Sequence, residues 1–341
     1  MEIEVQLDAR PGEAAERARV LLASGVDGLF TFEGQHDVFL PLAETALAHP
    51  DGVPADLTTN VAIALPRSPM HLAHTAHDLQ TLSKGRFRLG LGSQIKPHIE
   101  NRYGSTWDRP AARMREWVAA VRAILASWQD GTRLDFRGEF TRHTLMAPTF
   151  NPGPNAYGVP PVLMGALGPV MTRTAAEVAD GLLVMPFNSG DHFRERTLPA
   201  IEAGLDRAGR DRSDLQVVPQ VICAVGRTPE EIEQASVGCR FLLGFYGSTP
   251  AYRPVLEVAG REDVQPELNR LSKQGDFAAM AELVDDDLFD TIAVRGTPEQ
   301  VAAEIHRRFG EHADRVCVYF PGSDVSGDLL TALVDAMHAV G

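Results

Sequence analysis

The chain has 341 residues, of which 44% are hydrophobic and 23% charged, an ordinary globular composition that allows one large barrel or two average domains. Its 46 acidic residues outnumber its 32 basic ones, giving a net charge of −14, which disfavours nucleic acid and anionic lipid as partners and obliges any anionic ligand to be met by local donors. Three scattered cysteines without a Cys-x-x-Cys suggest neither a zinc site nor a disulfide framework and fit a reducing cytoplasm, and no apolar run reaches the ~20 residues that span a bilayer.

From the amino terminus, Ile3 to Leu7 reads as a strand rather than a signal peptide, and Pro11 to Ala23 has helical spacing. Gly28 to Phe32 is a second strand and Pro41 to Ala48 a short helix. The apolar run Leu57 to Leu65 (LTTNVAIAL) is a third strand, and Ser68-Pro69 opens a helix to about Ser83 with proline in its first turn. Arg86 to Leu91 is a fourth strand, followed by a loop and a long helix from Pro110 to Gln129. Arg133 to Pro154 is irregular and contains a hairpin-like RLDFRGEF, whose Phe136 and Phe140 suit a packing edge better than a lid. Pro161 to Met164 and Gly181 to Pro186 are strands five and six, with a helix opening at Gly168-Pro169 between them. Leu215 to Val225 is the seventh, where Pro219 predicts a bulge or break. Thr228-Pro-Glu-Glu231 and Thr297-Pro-Glu-Gln300 read as capping boxes. Val316 to Phe320 is the eighth strand. Eight β/α units without a break in composition predict a (β/α)₈ TIM barrel over 1–341, with insertions at about 131–158 and 242–290.

In such a barrel the chemistry lies where strands end, which picks out Glu33–Asp37, Asn60–Pro66, Gly92–His98, Gly165–Gly168 and Met185–Ser189. After strand two, Phe32-Glu-Gly-Gln-His-Asp37 gathers two carboxylates, an amide and an imidazole, which makes Glu33 and His36 candidate proton carriers. After strand four, Gly90-Leu-Gly92-Ser93 lets a planar ring or a phosphate approach the backbone, although a tight turn uses the same residues. After strand five, Gly165-Ala166-Leu167-Gly168 leads into a proline-started helix, where first-turn amides and the helix dipole can hold an anion without net positive charge. His71, His74 and His77 share a helix face, but they lie away from the strand ends and lack His-Glu-x-x-His, so packing rather than metal binding is expected. No serine-hydrolase elbow or Walker loop occurs. Tyr252, Arg253 and Asp285 to Asp287 read as surface or helix-start features.

Thr59-Asn-Val-Ala-Ile-Ala-Leu-Pro-Arg-Ser-Pro69, continuing through LAHTAHDLQTLSKGRFRLGLGS to Ser93, resembles the luciferase-like flavin and deazaflavin oxidoreductases, and GALGPVMTRTAAEVADGLL resembles their phosphate turn and following strand. The resemblance covers nearly the whole chain. It implies a dimeric barrel with a three-ring cofactor against strands three and four, and a non-proline cis peptide at Asn60-Val61. Asn60 and Val61 would back the ring, Gly92 and Ser93 would touch its edge or its side chain, and Gly165 through Gly168 would bind the phosphate. The overall pattern is most similar to the branch using coenzyme F420, with FMN as the alternative cofactor. The former implies hydride transfer to or from a small organic substrate; the latter implies a monooxygenase fed with reduced flavin. A non-catalytic flavin-binding barrel is the remaining reading. Two departures stand out: Ile95-Lys96 stands where sugar-phosphate and alcohol enzymes carry an acid, which argues against those substrates, and Glu33-Gly-Gln-His36 replaces an Asp-His pair, which leaves the proton donor open between Glu33 and His36.

Overall fold

Short β-branched and leucine-rich runs alternate with amphipathic helices, and each strand pairs in parallel with the next. The computed structural model describes residues 1–313 and 315–340. Its barrel strands are β1 (Glu2–Gln6), β2 (Gly28–Thr31), β3 (Asp56–Thr59), β4 (Phe87–Gly92), β5 (Val162–Ala166), β6 (Gly181–Val184), β7 (Gln216–Val225) and β8 (Arg315–Tyr319). They follow one another around the sheet; β8 pairs β1, and β6 pairs β7 to close the ring. This is the expected TIM barrel, and a further short strand, Val294–Gly296, lies on the outer end of β7.

Alternation along each strand sorts the side chains. Ile3, Val5, Leu29, Leu57, Leu89, Leu91, Val217 and Val316 face the surrounding helices in one large buried cluster. The opposite parity fills the barrel interior, where Phe30, Leu163, Leu183, Val218, Cys317 and Tyr319 form a second cluster.

The floor of the barrel is ionic. Glu4 is fully buried and is contacted by Arg88 and by Arg315 (2.6 Å), while Arg315 also meets Asp56 at 2.8 Å and Arg88 reaches Gln216. Burial alone would raise the Glu4 carboxyl; Arg88 and Arg315 hold it below its ordinary value. The room for this side chain comes from Gly28, where an added Cβ would lie 2.6 Å from Glu4 Cγ.

Several elements depart from the sequence expectation. LTTNVAIAL is not one strand: β3 stops at Thr59, the Asn60-Val61 peptide is cis, and pairing resumes only at Ala62–Ile63 against Leu91 and Gly92. Pro219 leaves β7 unbroken, because the ladder to β6 ends at Pro219 itself and its missing N–H falls where that pairing stops. The stretch after β4 contains a helical turn, Lys96–Asn101. Thr297 and Gln300 form a complete capping box, but Thr228 only accepts from the Glu231 amide, and the Glu231 carboxylate takes the Arg227 N–H instead (2.6 Å). The Phe136 hairpin is a packing edge. It is strapped to helix Pro110–Asp130 by Glu116, whose carboxylate accepts from the amides of Glu139, Phe140 and Thr141. His74 and His77 lie against Trp128, with ring centroids at 4.7 and 5.7 Å. No helix among the described residues is long and apolar enough to cross a membrane.

Candidate functional site

The carboxyl ends of β2 to β6 form one rim of the barrel, and the site grows from three of them. At the end of β4 and β5, Leu91 is in register with Met164, so Gly92 and Gly165 are neighbours on adjacent strands. Val61 enters between them from β3. A Cβ at Gly92 would meet Val61 Cγ2 at 2.4 Å, and one at Gly165 would meet Val61 Cγ1 at 3.0 Å. The two glycines therefore create the seat for Val61, whose isopropyl group becomes a half-buried apolar platform. Gly90, one layer deeper, is required for the same packing, since its Cβ would sit 1.9 Å from the Thr59 carbonyl oxygen.

Asn60 is 3% exposed, and neither its amide nitrogen nor its carbonyl oxygen has a hydrogen-bond partner among the described residues. An unmet buried carboxamide costs about 1–3 kcal/mol per group, which a ligand offering both a donor and an acceptor would recover. Ser93 lies half-buried next to Gly92, its hydroxyl directed to the Gln94 carbonyl at 3.1 Å.

The β5 turn continues through Ala166 and Leu167, both buried, to Gly168, which has extended backbone geometry and precedes helix Pro169–Val178. No side chain caps this helix, so its first-turn amides remain available to an anion. Beside them a surface cleft of 590 Å³ is walled by Gly168 to Met171 and by Arg109 to Ala112, the start of a second helix. Gly92 and the Gly165–Gly168 turn thus occupy one rim, close enough to serve one molecule.

The strand-two loop behaves differently at its two candidates. The Glu33 carboxylate accepts three hydrogen bonds: from the Ile63 amide (2.7 Å), from Arg67 (2.5 Å) and from the Tyr103 hydroxyl (2.9 Å). Arg67 also bonds the Ile63 carbonyl and lies 3.8 Å from Asp37. Glu33 is thus the hub that fixes the segment after the cis peptide to the Tyr103 loop. His36 is exposed and makes no hydrogen bond among the described residues.

A part of the rim that the sequence did not single out comes from the segment after β7. Tyr246, in the last turn of helix Pro229–Gly247, and Tyr252 pack with Phe187, which follows β6. Leu167, Met185 and Ile222 complete this cluster above the barrel. Across from it, the Tyr319 hydroxyl donates to Gln220 Oε1 at 2.6 Å, and its ring lies 4.9 Å from Phe30. The strand-end rule picks out Met185–Ser189 and with it Phe187, whereas Tyr246 and Tyr252 carry no signal beyond lying six residues apart in the polar helical insert.

Comparison with known proteins agrees with this architecture. The profile of the luciferase-like monooxygenase family matches residues 3–314. A protein of Mycobacterium tuberculosis is 47% identical over 307 residues, covering 90% of this chain and 89% of its own length. The 5,10-methylenetetrahydromethanopterin reductase of Archaeoglobus fulgidus is 30% identical over 246 residues, covering 70% of this chain and 69% of its own. Among solved structures, the coenzyme F420-dependent tetrahydromethanopterin reductase from Methanopyrus kandleri superposes with a TM-score of 0.77 at 20% identity, covering 98% of this chain and 96% of that one. The fold is a parallel TIM barrel in which a glycine-seated apolar platform and an uncapped helix start share one rim. The chain belongs to the luciferase-like family of oxidoreductases.

Proposed function

We propose that this chain is an oxidoreductase that uses coenzyme F420 to move hydride to or from a small organic substrate. The observation that carries this reading is Val61 lodged between Gly92 and Gly165, with the uncapped turn at Gly168 beside it on the same rim. A planar three-ring head and its phosphate need these two features within reach of each other. The residues fit such a group: Val61 offers an apolar surface to a ring face, Asn60 offers an unmet donor and acceptor to a ring edge, and the amides after Gly165 offer an anion seat. When bound, a deazaflavin supplies hydride exchange at one ring carbon, whereas FMN would supply oxygen activation.

The protein's own groups do the rest. Ser93, half-buried beside Gly92, would meet the ring edge or its side chain. Glu33, with its three donors, holds the Ile63 segment and Arg67 so that Asn60 and Val61 keep their positions. Exposed and unpartnered, His36 is free to carry a proton between solvent and the reacting atoms. The insert bearing Tyr246 and Tyr252 excludes water from the mouth. The second reading, an FMN-dependent monooxygenase, is favoured by the monooxygenase description of the family.

Anaerobic titration of the purified chain with coenzyme F420 and with FMN, in oxidised and reduced forms, tests the proposal through their visible spectra. Saturable binding of F420 with weaker FMN binding is expected. Preference for reduced FMN, with oxygen uptake, would establish the monooxygenase reading instead, and binding of neither would overturn both. The same reading carries a homodimer and a cytoplasmic enzyme, the former checked by sedimentation equilibrium.

A further inference from the structure

The cofactor reading leaves open what stands over the ring, and the aromatic wall answers it. Phe187, Tyr246 and Tyr252 form a triangle with centroid separations of 6.3, 6.2 and 6.2 Å, drawn from segments about 60 residues apart in sequence. The wall is tied to the cofactor rim: the Met185 amide donates to the Ala166 carbonyl at 3.1 Å, and the Phe187 amide lies 3.1 Å from the Met185 sulfur. Gly247 gives Phe187 its place, since a Cβ there would lie 3.5 Å from the ring and 2.9 Å from Leu268.

Two features set the chemistry of this wall. Its surroundings are apolar (Leu167, Met185, Ile222, Ala224, Leu242), yet neither phenol hydroxyl makes a hydrogen bond among the described residues, and neither is sealed off from free space. Burial, reinforced by Tyr252, raises the Tyr246 phenol, and burial raises Tyr252 too, so both stay neutral donors. Burial, and after it the neighbouring Tyr246, likewise pushes the Tyr319 phenol up, so Tyr319 also stays a neutral donor, to Gln220. The second feature is charge. Glu33 and Asp37 of the strand-two loop are paired with Arg67, so that guanidinium is already committed, and a carboxylate or phosphate set among the apolar side chains of the wall would lose its hydration.

We infer that Tyr246 and Tyr252, backed by the fully buried Phe187, select an uncharged, planar ring compound bearing a hydroxyl or carbonyl oxygen as the substrate class, an inference that rests on the cofactor reading for its placement over the ring. The half-buried Tyr246 and Tyr252 rings favour offset or edge contacts with another ring, and their two unbonded hydroxyls favour an oxygen at its edge.

The test uses 2-naphthol, the similarly shaped anion 2-naphthoate, and non-planar cyclohexanol. Each is titrated by calorimetry into the full-length chain, with and without the cofactor that the spectral titration identifies. The expected result is that 2-naphthol binds at least about tenfold tighter than either comparator. Tyr246→Leu and Tyr252→Leu should each weaken it by about 2- to 10-fold, and Tyr252→Phe should weaken it less, with cofactor binding and thermal unfolding retained. The near-isosteric phenylalanine variant keeps the test valid if a leucine variant fails to fold. Tight 2-naphthoate binding, or 2-naphthol affinity indifferent to all these variants, overturns the inference. If neither cofactor binds while the naphthol preference persists, the cofactor reading fails and the ring selectivity stands.

Discussion

Replacing Gly92 by alanine puts a methyl group 2.4 Å from Val61 Cγ2, where ordinary contact begins at 3.4 Å, so the platform side chain must retreat by the difference of 1.0 Å or the strand must move. Gly92 does not have positive φ, so the backbone itself accepts alanine. Without crowding, the change would stabilise the fold by about 0.4–1 kcal/mol through the unfolded chain. Overpacking costs about 1–3 kcal/mol, so the net is a loss of up to about 2.5 kcal/mol. At about 2 °C per kcal/mol for a chain this long, thermal unfolding should fall by up to about 5 °C. A displacement of this size also forfeits a quarter to a half of each affected dispersion contact, and cofactor affinity should drop by about tenfold. Val61→Ala should relieve the clash, so the double variant should bind and melt closer to the parent than the sum of the single changes predicts, with a coupling of at least about 0.5 kcal/mol. The assay is differential scanning calorimetry together with the F420 and FMN titrations. If Gly92→Ala melts at or above the parent temperature and binds both cofactors unchanged, the platform argument is wrong.

The two strand-two candidates separate cleanly. Glu33→Gln leaves the part-buried Arg67 without its counter-charge and obliges the Tyr103 hydroxyl to accept instead of donate, and should cost about 2 kcal/mol in urea unfolding, whereas His36→Ala should stay within about 0.5 kcal/mol; equal values would refute the hub role of Glu33. His192 is buried, and burial followed by the Arg196 charge lowers it from 6.5 to about 4. Because the fold favours its neutral form, its contribution to stability is complete above pH 6.5 and is lost as the pH falls toward 4. His192→Gln should therefore flatten that slope in pH-dependent urea midpoints; an unchanged slope would show that His192 does not titrate with folding.

The parts of this molecule that were legible in the sequence are those in which local pattern and tertiary demand agree. Strand positions, the Ser68 helix start, the Thr297 capping box and the glycine turns at Gly92 and Gly168 combine hydrophobic periodicity with residues of special backbone freedom. The cis peptide at Asn60-Val61 followed from family resemblance, but the strand break it creates was hidden inside an uninterrupted apolar run. The ionic floor was invisible for a different reason. Glu4, Asp56, Arg88 and Arg315 occupy alternate strand positions that a period-two pattern assigns to solvent, and only ring closure turns that face inward. Tyr252 was read as a surface residue because no local pattern links it to Phe187, 65 residues earlier; Glu33 showed its polarity but not its three donors.

The buried carboxylate near the amino terminus sets a timetable for synthesis. Glu4 is made 84 residues before Arg88, but its other guanidinium comes from Arg315, 311 residues later. Until that arginine emerges, β1 has no β8 beside it, and one edge of the nascent sheet carries a half-neutralised anion. Such an edge resists premature pairing with another chain, because a neighbouring strand would have to bury the charge without its partner. The eighth strand therefore both completes the ring and supplies the charge that lets it close.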